Sequence, residues 1–570
     1  MHIHGAPLAR PSERTPSVPS GGPYGTGTGD GSRKLFEAPS GMPGHVPEIA
    51  SRRPSISPER LALLSKLAVA MTEPSSGIDT DNPNIPAGFT YLAQFAAHDI
   101  TFSLTPFDEA HGHTQSNKNA RHARLILNTL YGLGPGVHPH LYNAPELGRE
   151  MRGTLRLGQM RDRTSKCPAQ GDPWIDMPRV PVEPLHKEGC PYSPYNLDGN
   201  VQRSILIANR HETLAADSRN DDNVVLSQVT VLFSILHNTI YNRLDEPSIR
   251  AKLPPHMQDP RLQFRVARDV VTLTYRRVLF NDLLRRLLDA DVYAYFVKNG
   301  PLEPDLDGKR GVPLEFTHAA YRMGHAMIRS FYEMNDGVDA DARNLLTLID
   351  SLALGSQRLS QELPLLKDWY AQWSKFFDVA GHTPQPSRRI GPYIVPLLGE
   401  NYQFPNDDGP NDTPLPGGLV YRDMVRGEEE GLMTPLALAH RLAPVMGAHF
   451  DPDAYVKEVT DRIVGWLSGA GFSPQETAAL AGTPPLTLFV LLEAWTGASN
   501  GCRLGPIGSL IVGEVFFRSQ YETIDAFERD HHVQAAAAVA YAGAVPATMA
   551  ALIEQIAAWS PLEYRPLPII

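Results

Sequence analysis

The regular spacing of apolar side chains constrains the fold of this chain most strongly. In residues 222–244 apolar positions such as Val224, Val231 and Ile235 recur every three or four residues, which matches one face of an α-helix. No run of alternating apolar and polar residues predicts a set of strands, and no internal repeat is visible. We therefore predict a mainly α fold with little sheet. Further helices are predicted for Leu61 to Met71 and for residues 262–288, 315–331, 453–467, 485–497, 505–519 and 545–560.

Prolines and glycines divide the chain between these helices. The 51 prolines predict long irregular connections, notably at residues 104–200 and 376–420. Residues 1–50 are rich in Pro, Gly and Ser and have no apolar period, which is typical of a flexible tail. Because large helical enzymes often reach this length as one unit, we predict a single large helical domain over residues 51–570.

Charge and composition exclude several classes of partner. The formal net charge of −11 argues against nucleic acid, which would require a basic surface. No uninterrupted apolar run approaches the roughly 18 residues that cross a bilayer, so we expect no membrane span. The N-terminus has no apolar core of the kind found in secretory signals, and three widely spaced cysteines favour a reducing compartment. We therefore expect a cytoplasmic protein. The sequence does not indicate its oligomeric state.

Two stretches combine polar side chains with apolar or acidic surroundings. Residues 87–102, AGFTYLAQFAAHDITF, place Gln94 and His98 four residues apart, so that both lie on one face of a predicted helix among apolar neighbours. Residues 216–228 carry Arg219 at the start of a helix, beside several acids. Taken alone, a histidine on an apolar helix is more often a core residue, and such an arginine is more often part of a surface salt bridge.

A third stretch, residues 319–331, places His325 in a predicted amphipathic helix directly after Gly324. A glycine at this position would allow a flat cofactor to approach the backbone closely. From residue spacing alone, these stretches indicate a helical enzyme with a buried histidine site, and the type of reaction remains open.

In this order, the three stretches resemble the animal-type haem peroxidases, the peroxidase–cyclooxygenase superfamily, and especially their bacterial members. NPNIPAGFTYLAQFAAHDITF resembles the distal-histidine segment, DSRNDDNVVLSQVTVLFSILHNTIYNRL the catalytic-arginine helix, and EFTHAAYRMGH the proximal-histidine helix. The resemblance covers roughly residues 57–530 and implies a single helical haem-peroxidase domain. Four further segments support it, namely WSKFFDVAG (373–381), RRIGPYIVPLL (388–398), YRDMVRGEEEGL (421–432) and CRLGPIGSLIVGEVFF (502–517).

The resemblance implies a role for three residues on the distal side of a haem. His98 would take a proton from hydrogen peroxide and return it to the leaving oxygen. Arg219 would stabilise the negative charge that develops on that oxygen. Gln94 would hold a distal water or a halide near the histidine.

On the proximal side the resemblance implies that His325 is the axial ligand of the haem iron. Arg322 and Arg426 match positions that pair with the haem propionates, a contact that suits the forked guanidinium. Where the family has an asparagine bonded to the proximal histidine, this chain has Asp423. A carboxylate bonded to His325 would give the imidazole more imidazolate character and lower the reduction potential, whereas an Asp423 turned away would not.

Two positions decide how the haem would be attached. In mammalian members an aspartate precedes the distal histidine and a glutamate lies three residues after the arginine, and both can form esters with the haem. Here these positions are Ala97 and Asp222. The first link is impossible and the second would need a shorter side chain, so we expect non-covalent haem b.

Calcium binding is doubtful on the same comparison. The family's calcium loop corresponds to RHARLILNTLYG (121–132), where Ile126 stands in place of the expected aspartate and Asn128 follows two residues later. Asp99 remains as a potential ligand, but a hard cation needs several oxygen ligands. The alternative is that Asp99 only braces the distal helix.

The expected reaction is reduction of hydrogen peroxide and oxidation of an organic donor or halide through a ferryl intermediate. Related dioxygenases have a radical-forming tyrosine three residues before the proximal histidine, but Arg322 stands there and Tyr321 lies one residue further away. On a helix this offset turns the tyrosine elsewhere. We expect iodide, bromide or organic donors rather than chloride. The alternatives are a fatty-acid dioxygenase or specialised biosynthetic oxidase, and a non-catalytic haem-binding protein.

Overall fold

The computed structural model describes residues 56–72, 80–102, 121, 123–145, 151–161, 175–181, 211–304, 311–336, 344–347, 351, 363–399, 418–520 and 525–559. The predicted flexible tail at residues 1–50 lies outside these ranges, so it stays a prediction, as does the domain boundary at residue 51.

The described part of the chain is mainly helical, as the apolar spacing predicted. The predicted helices beginning near Leu61 and spanning 222–244, 453–467, 485–497, 505–519 and 545–560 are all present, with ends shifted by a few residues. The α-helices are α1 Pro58–Ala70, α2 Gly88–Ile100, α3 Asn128–Tyr131, α4 Val224–Asp245, α5 Pro247–Arg250, α6 Gln263–Val278, α7 Leu284–Leu287, α8 Ala290–Asn299, α9 Leu314–His318, α10 Pro396–Gly399, α11 Gly418–Glu429, α12 Pro435–Met446, α13 Pro452–Gly469, α14 Pro474–Gly482, α15 Leu486–Thr496, α16 Pro506–Gln520, α17 Asp525–Tyr541 and α18 Met549–Trp559.

Side-chain caps fix where several helices begin. The side chain of Ser57 accepts a hydrogen bond from the amide of Arg60 at 3.2 Å and starts α1. Asn223 accepts from the amide of Leu226 at 2.9 Å and starts α4. These caps satisfy amide groups that have no partner inside the first turn, which stabilises a helix by about 1 kcal/mol. The start of α4 matters for function because the turn before it carries Arg219.

The predicted helix at residues 262–288 is interrupted by a wider turn. The chain forms α6, then a π-helical turn at Leu279–Leu283, then the short helix α7. The π turn inserts one extra residue into the helical ladder and so changes the direction in which later side chains point.

The predicted amphipathic helix at residues 315–331 is wrong as a single α-helix. The short helix α9 ends at Ala319, whose backbone is not helical, and a 3₁₀ helix follows at Ala320–Met327. Its buried residues Ala320, Met323 and Ala326 recur every three residues, and this spacing fits both an α-helix and a 3₁₀ helix. The apolar pattern therefore could not distinguish the two. We call Ala320–Met327 the proximal segment.

Sheet is scarce in the described residues, as predicted. Eight short strands form four antiparallel two-stranded sheets. The strands are β1 Asp81–Pro86, β2 Gly158–Gln159, β3 Ile175–Asp176, β4 Arg179–Pro181, β5 His211–Thr213, β6 Phe331–Asn335, β7 Asn344–Thr347 and β8 Pro386–Arg388, paired β1–β8, β2–β3, β4–β5 and β6–β7.

Three helices meet at an aromatic cluster in the core. Phe95 of α2 stacks on Phe233 of α4 with ring centroids 5.3 Å apart, and Tyr275 of α6 stands edge-on to both rings. Such aromatic contacts add stability beyond their buried area. Buried apolar residues from Leu64 to Ile556 belong to this one core. The cluster packs α2 against the middle of α4, and Phe95 lies about one turn before His98.

One helix is more apolar than the sequence prediction allowed. Helix α4 is long and apolar enough to cross a membrane by length and composition, and the bent pair α14–α15 also passes this test. The interspersed Ser, Thr and Gln residues break the uninterrupted apolar run but leave the helix apolar on average. In the fold, 94% of the most apolar stretch of α4 is buried, which is also typical of a core helix.

Candidate active site

His98 lies in the last turn of α2, and its ring is almost fully buried. The Nδ1 atom lies 3.0 Å from Oδ1 of Asn220, in the turn that precedes α4. Burial, followed by the positive charge of Arg219, lowers the pKa of His98 to about 3. The imidazole is therefore neutral at physiological pH and can accept a proton.

The amide of Asn220 determines which ring nitrogen of His98 carries the hydrogen. Its Nδ2 donates to the carbonyl of Thr129 at 3.1 Å, and its Oδ1 accepts from the Thr129 hydroxyl at 3.2 Å. Because Oδ1 is therefore the atom that faces His98, Nδ1 of the histidine must be the donor. Nε2 is left with its lone pair, as a proton acceptor requires.

Gln94 lies one turn before His98 and contacts the same turn. Its Oε1 accepts a hydrogen bond from Nδ2 of Asn223 at 3.3 Å. Asn223 is also the cap of α4, so one side chain links the start of that helix to α2. Gln94 and His98 thus share a helix face, as their spacing predicted.

Arg219 lies beside His98, but its charge is shared with an acid. Its Nε and Nη2 donate to the two carboxylate oxygens of Asp217, and Nη2 also donates to the carbonyls of His98 and Thr101. The guanidinium lies over the ring of Phe102, 4.7 Å from its centroid. Among the described residues Nη1 has no partner, and about a quarter of the side chain is exposed. One edge of the guanidinium is therefore left for a ligand.

Asp217 connects two arginines at this site. Its buried carboxylate accepts from Arg121 at 2.7 Å as well as from Arg219. Although burial raises the pKa of Asp217, the hydrogen bond and charge of Arg219 outweigh it and hold the pKa well below its usual range. Asp217 is therefore ionised and fixes the position of Arg219.

Asp221 and Asp222, which follow Arg219 in the sequence, differ in their contacts. Asp221 forms a buried ion pair with Arg179, whose guanidinium also binds Asp176. The carboxyl group of Asp222 has no hydrogen-bond partner among the described residues, and burial raises its pKa to about 8. Asp222 is therefore protonated at neutral pH. The expectation that Asp222 forms no covalent link to a haem stays a prediction.

His325 lies in the proximal segment, and the expected contact with Asp423 of α11 is present. Nδ1 of His325 lies 2.7 Å from Oδ2 of Asp423, whose side chain is 8% exposed. Burial raises the pKa of Asp423, but its interaction with His325 and the positive charge of Arg322 outweigh burial and hold the pKa below its usual value. The carboxylate therefore stays ionised and leaves Nε2 of His325 for a metal.

The two arginines expected to bind haem propionates already have partners in the protein. Nη1 of Arg322 lies 3.4 Å from Oδ1 of Asp423, and its Nε donates to the carbonyl of Thr317. Three residues per turn place Arg322 and His325 on the same edge of the 3₁₀ helix, so both reach the same carboxylate. Nη1 of Arg426 lies 3.3 Å from Oε2 of Glu429. Their propionate contacts stay predictions.

The proximal segment also contacts α2 directly. The hydroxyl of Tyr321 donates to the carbonyl of Ala93 at 2.8 Å, and its ring stacks on Phe316. Tyr321 therefore points towards α2, away from the edge that carries His325, as the sequence predicted. The hydrogen bond between Tyr321 and Ala93 therefore joins the proximal segment, which carries His325, to α2, which carries His98.

The residues present fit a haem. His325 offers Nε2 as a ligand because Nδ1 is bonded to Asp423. A Cβ built on Gly324 would meet no atom within 4 Å, so the backbone beside His325 is open to a flat group. The neutral His98 and the Nη1 edge of Arg219 offer the acid–base and charge-stabilising groups that haem chemistry needs.

The doubtful calcium site at Asp99 stays a prediction, and the structure shows what the carboxylate contacts instead. Asp99 accepts the amides of Leu127 at 2.9 Å and Thr129 at 3.4 Å, and burial raises its pKa to about 6. No cluster of three or more His, Cys, Asp or Glu that could hold a metal ion occurs among the described residues. Asp99 thus braces α2 against α3, which was the alternative to calcium binding.

The sequence prediction did not include Asn220, Asp217 or Thr129. Asp217 and Asn220 flank Arg219 closely in DSRN, which is the one signal that marks them. Thr129 carries no signal, because its role depends on how α3 packs against α2.

A family model matches the middle of the chain. The family model for animal haem peroxidase matches residues 179–381, which include the turn with Arg219 and the proximal segment. A "Peroxidase-like protein" of Margaritifera margaritifera is 26% identical over 332 residues, which make up 55% of this chain and 37% of that protein. This chain therefore spans little more than a third of the length of that relative.

Solved structures share the fold. Peroxidase A from Dictyostelium discoideum matches with a TM-score of 0.50 and 15% identity, over 88% of this chain and 91% of that one. The fatty acid alpha-dioxygenase of Oryza sativa matches with a TM-score of 0.51 and 13% identity, over 88% of this chain and 79% of that one. Identities this low show the fold alone. Residues 179–381 therefore match the animal haem peroxidase family model, and the described part of the chain has the mainly helical fold of these solved structures.

Proposed function

We propose that this chain is a haem peroxidase that reduces hydrogen peroxide and oxidises a small organic donor or a halide. The observation that carries the proposal is the neutral His98, whose Nδ1 is bonded to Asn220 and whose Nε2 is a free proton acceptor. A buried base of this kind suits a substrate that must lose a proton to react.

The distal residues move the proton. Nε2 of His98 accepts a proton from one oxygen of peroxide and returns it to the other oxygen, which leaves as water. The Nη1 edge of Arg219 stabilises negative charge on the leaving oxygen, in a site where burial strengthens such an interaction. Gln94 holds a water or halide beside the histidine. When bound, haem supplies the two electrons that break the O–O bond, and the donor returns them.

The proximal residues hold the iron and tune it. His325 would hold the iron through Nε2, and Asp423 accepts the Nδ1 hydrogen at 2.7 Å. The ionised carboxylate gives the imidazole more imidazolate character and favours the ferric state. This arrangement promotes O–O cleavage and lowers the reduction potential, so iodide, bromide or organic donors suit the site better than chloride.

The contact of Tyr321 favours peroxidase over dioxygenase chemistry. A tyrosine that forms a radical must release its phenolic proton, but the hydroxyl of Tyr321 donates to the carbonyl of Ala93, which is not a base. The position three residues before His325 is Arg322. The fatty-acid dioxygenase remains the second candidate, because the fold is shared with the Oryza sativa enzyme.

Two assays on the haem-loaded protein distinguish the candidates. A peroxidase oxidises guaiacol or iodide only when hydrogen peroxide is added and consumes no oxygen with an unsaturated fatty acid. Oxygen uptake with the fatty acid, without guaiacol oxidation, would assign the dioxygenase. Inactivity in both assays would leave a non-catalytic haem protein.

We propose that the cofactor is non-covalent haem b. Ala97 cannot form an ester and Asp222 has a side chain one methylene shorter than the glutamate of linked relatives. Extraction with acidic acetone is expected to remove the haem completely. Haem that stays with the protein after extraction, and is released in the Asp222→Ala variant, would contradict this proposal.

A further inference from the structure

Asn220 is fully buried and connects three parts of the fold. It lies in the 3₁₀ turn Ser218–Asp221, directly after Arg219, and its side chain reaches both His98 of α2 and Thr129 of α3. A buried amide must satisfy its donors and acceptor, so these contacts fix its orientation.

The orientation is fixed by Thr129 rather than by His98. Thr129 offers a carbonyl to Nδ2 of Asn220 and a hydroxyl to Oδ1. Turning the amide over would lose the bond to the carbonyl and would place an NH₂ group against the histidine. The imidazole, in contrast, can place its hydrogen on either nitrogen at little cost. The amide therefore selects the tautomer of the imidazole.

We infer that Asn220 is a positioning residue that keeps the hydrogen of His98 on Nδ1 and the lone pair on Nε2. The kinetic consequence of this inference rests on the proposed peroxidase function. The tautomer itself does not, because it is a property of the protein before any peroxide is added.

The choice of an amide rather than a carboxylate has a chemical reason. An aspartate at position 220 would stabilise the imidazolium form and raise the pKa of His98. The charged groups that act on His98 are Arg219, Arg121 and Asp217, and the neutral amide adds no charge to this set. His325, which would hold the iron, has a carboxylate partner, whereas His98, which would accept and release a proton, has a neutral one.

Three variants separate this role from a merely structural one. Asn220→Leu removes the acceptor, and Asn220→Asp keeps an acceptor but adds charge. Asn335→Leu is the matched control, because Asn335 of β6 is equally buried but its amide donates to the carbonyls of Asp368 and Tyr370 and not to a histidine. All three change buried side chains, so all three are expected to lower stability.

The rate of the reaction with hydrogen peroxide is the first readout. At pH 7 we expect Asn220→Leu to lower the second-order rate constant by about 10²-fold or more, the size of a lost acid–base contribution. Asn335→Leu should stay within about threefold of the wild type. Asn220→Asp should move the acid limb of the pH profile to higher pH and recover most of the rate above that limb, whereas the Leu variant should recover at no pH.

The tautomer is read directly by ¹⁵N NMR of histidine-labelled, haem-loaded protein in its diamagnetic ferrous–carbonyl form. The His98 signals are those that disappear in His98→Gln. We expect a protonated Nδ1 and an unprotonated Nε2. An Nε2–H tautomer in the wild type, or equal rates for Asn220→Leu and Asn335→Leu, would overturn the inference. If the wild type does not react with peroxide, the proposed function fails and the NMR result alone decides this inference.

Discussion

The carboxylate behind the proximal histidine gives the sharpest electronic prediction. Asp423 is 8% exposed and lies 2.7 Å from Nδ1 of His325, so an ionised group sits one imidazole away from the ligand atom. Asp423→Asn keeps the shape and an acceptor oxygen but removes the charge. We expect the Fe³⁺/Fe²⁺ potential of the haem-loaded protein to rise, because the ferric state loses the support of that charge.

The magnitude follows from the effect of groups that hydrogen-bond a metal ligand. Removing such a group changes metal affinity or activity by about 10–100-fold. If the 10–100-fold change in affinity applies to the ferric state alone, the reduction potential shifts by roughly 60–120 mV. This follows because each tenfold change corresponds to about 59 mV for a one-electron couple. The same change should slow O–O cleavage by roughly 10–100-fold.

Spectroelectrochemical titration of the Soret band measures this shift. Glu428→Gln is the matched control, because it removes the same charge from the same helix but pairs with Arg60 instead of the histidine. We expect the control to leave the potential nearly unchanged. A potential that falls in Asp423→Asn, or that moves no more than in the control, would refute the proposed role of the carboxylate.

Three further predictions concern the base, a buried ion pair and calcium. Because the pKa of His98 is about 3, its imidazole is neutral above that pH, so the stopped-flow rate constant for peroxide should stay constant from pH 8 to about pH 5. A fall in the rate constant near the ordinary pKa of histidine would contradict this. Arg179→Met leaves the buried carboxylates of Asp176 and Asp221 without their cation and should lower the free energy of unfolding by about 3–5 kcal/mol in urea titrations. The exposed control Arg277→Met should change it by no more than about 0.5 kcal/mol, and equal effects would show that the ion pair is unimportant. EDTA should leave the melting temperature unchanged, since backbone amides occupy the carboxylate that would otherwise bind calcium; a fall that added Ca²⁺ reverses would contradict this.

The sequence predicts the helices well where one period explains the pattern. Helix α4 has a long apolar stripe that fits only a period near 3.6, and it appears within two residues of its predicted bounds. The proximal segment fails because a three-residue apolar spacing fits two kinds of helix. The type of helix matters for the site, because the 3₁₀ geometry brings both Arg322 and His325 to the carboxylate of Asp423.

The site is predictable only where its residues are close in sequence or match a family motif. Gln94 and His98 share a face because they are four residues apart. The contact between His325 and Asp423 joins residues 98 positions apart and followed from the resemblance alone. The brace at Asp99 depends on Leu127, whose φ of 57° is a left-handed conformation that a leucine does not signal in sequence.

The reaction of the haem-loaded protein with hydrogen peroxide in a stopped-flow spectrometer tests the central claim most directly. The exposed His382 offers a matched control for His98. The account predicts that peroxide bleaches the Soret band in the wild type and in His382→Ala, that guaiacol or iodide restores it, and that His98→Ala slows the bleaching by roughly 10²–10⁴-fold. A Soret band indifferent to peroxide, or equal rates in the two histidine variants, would contradict it.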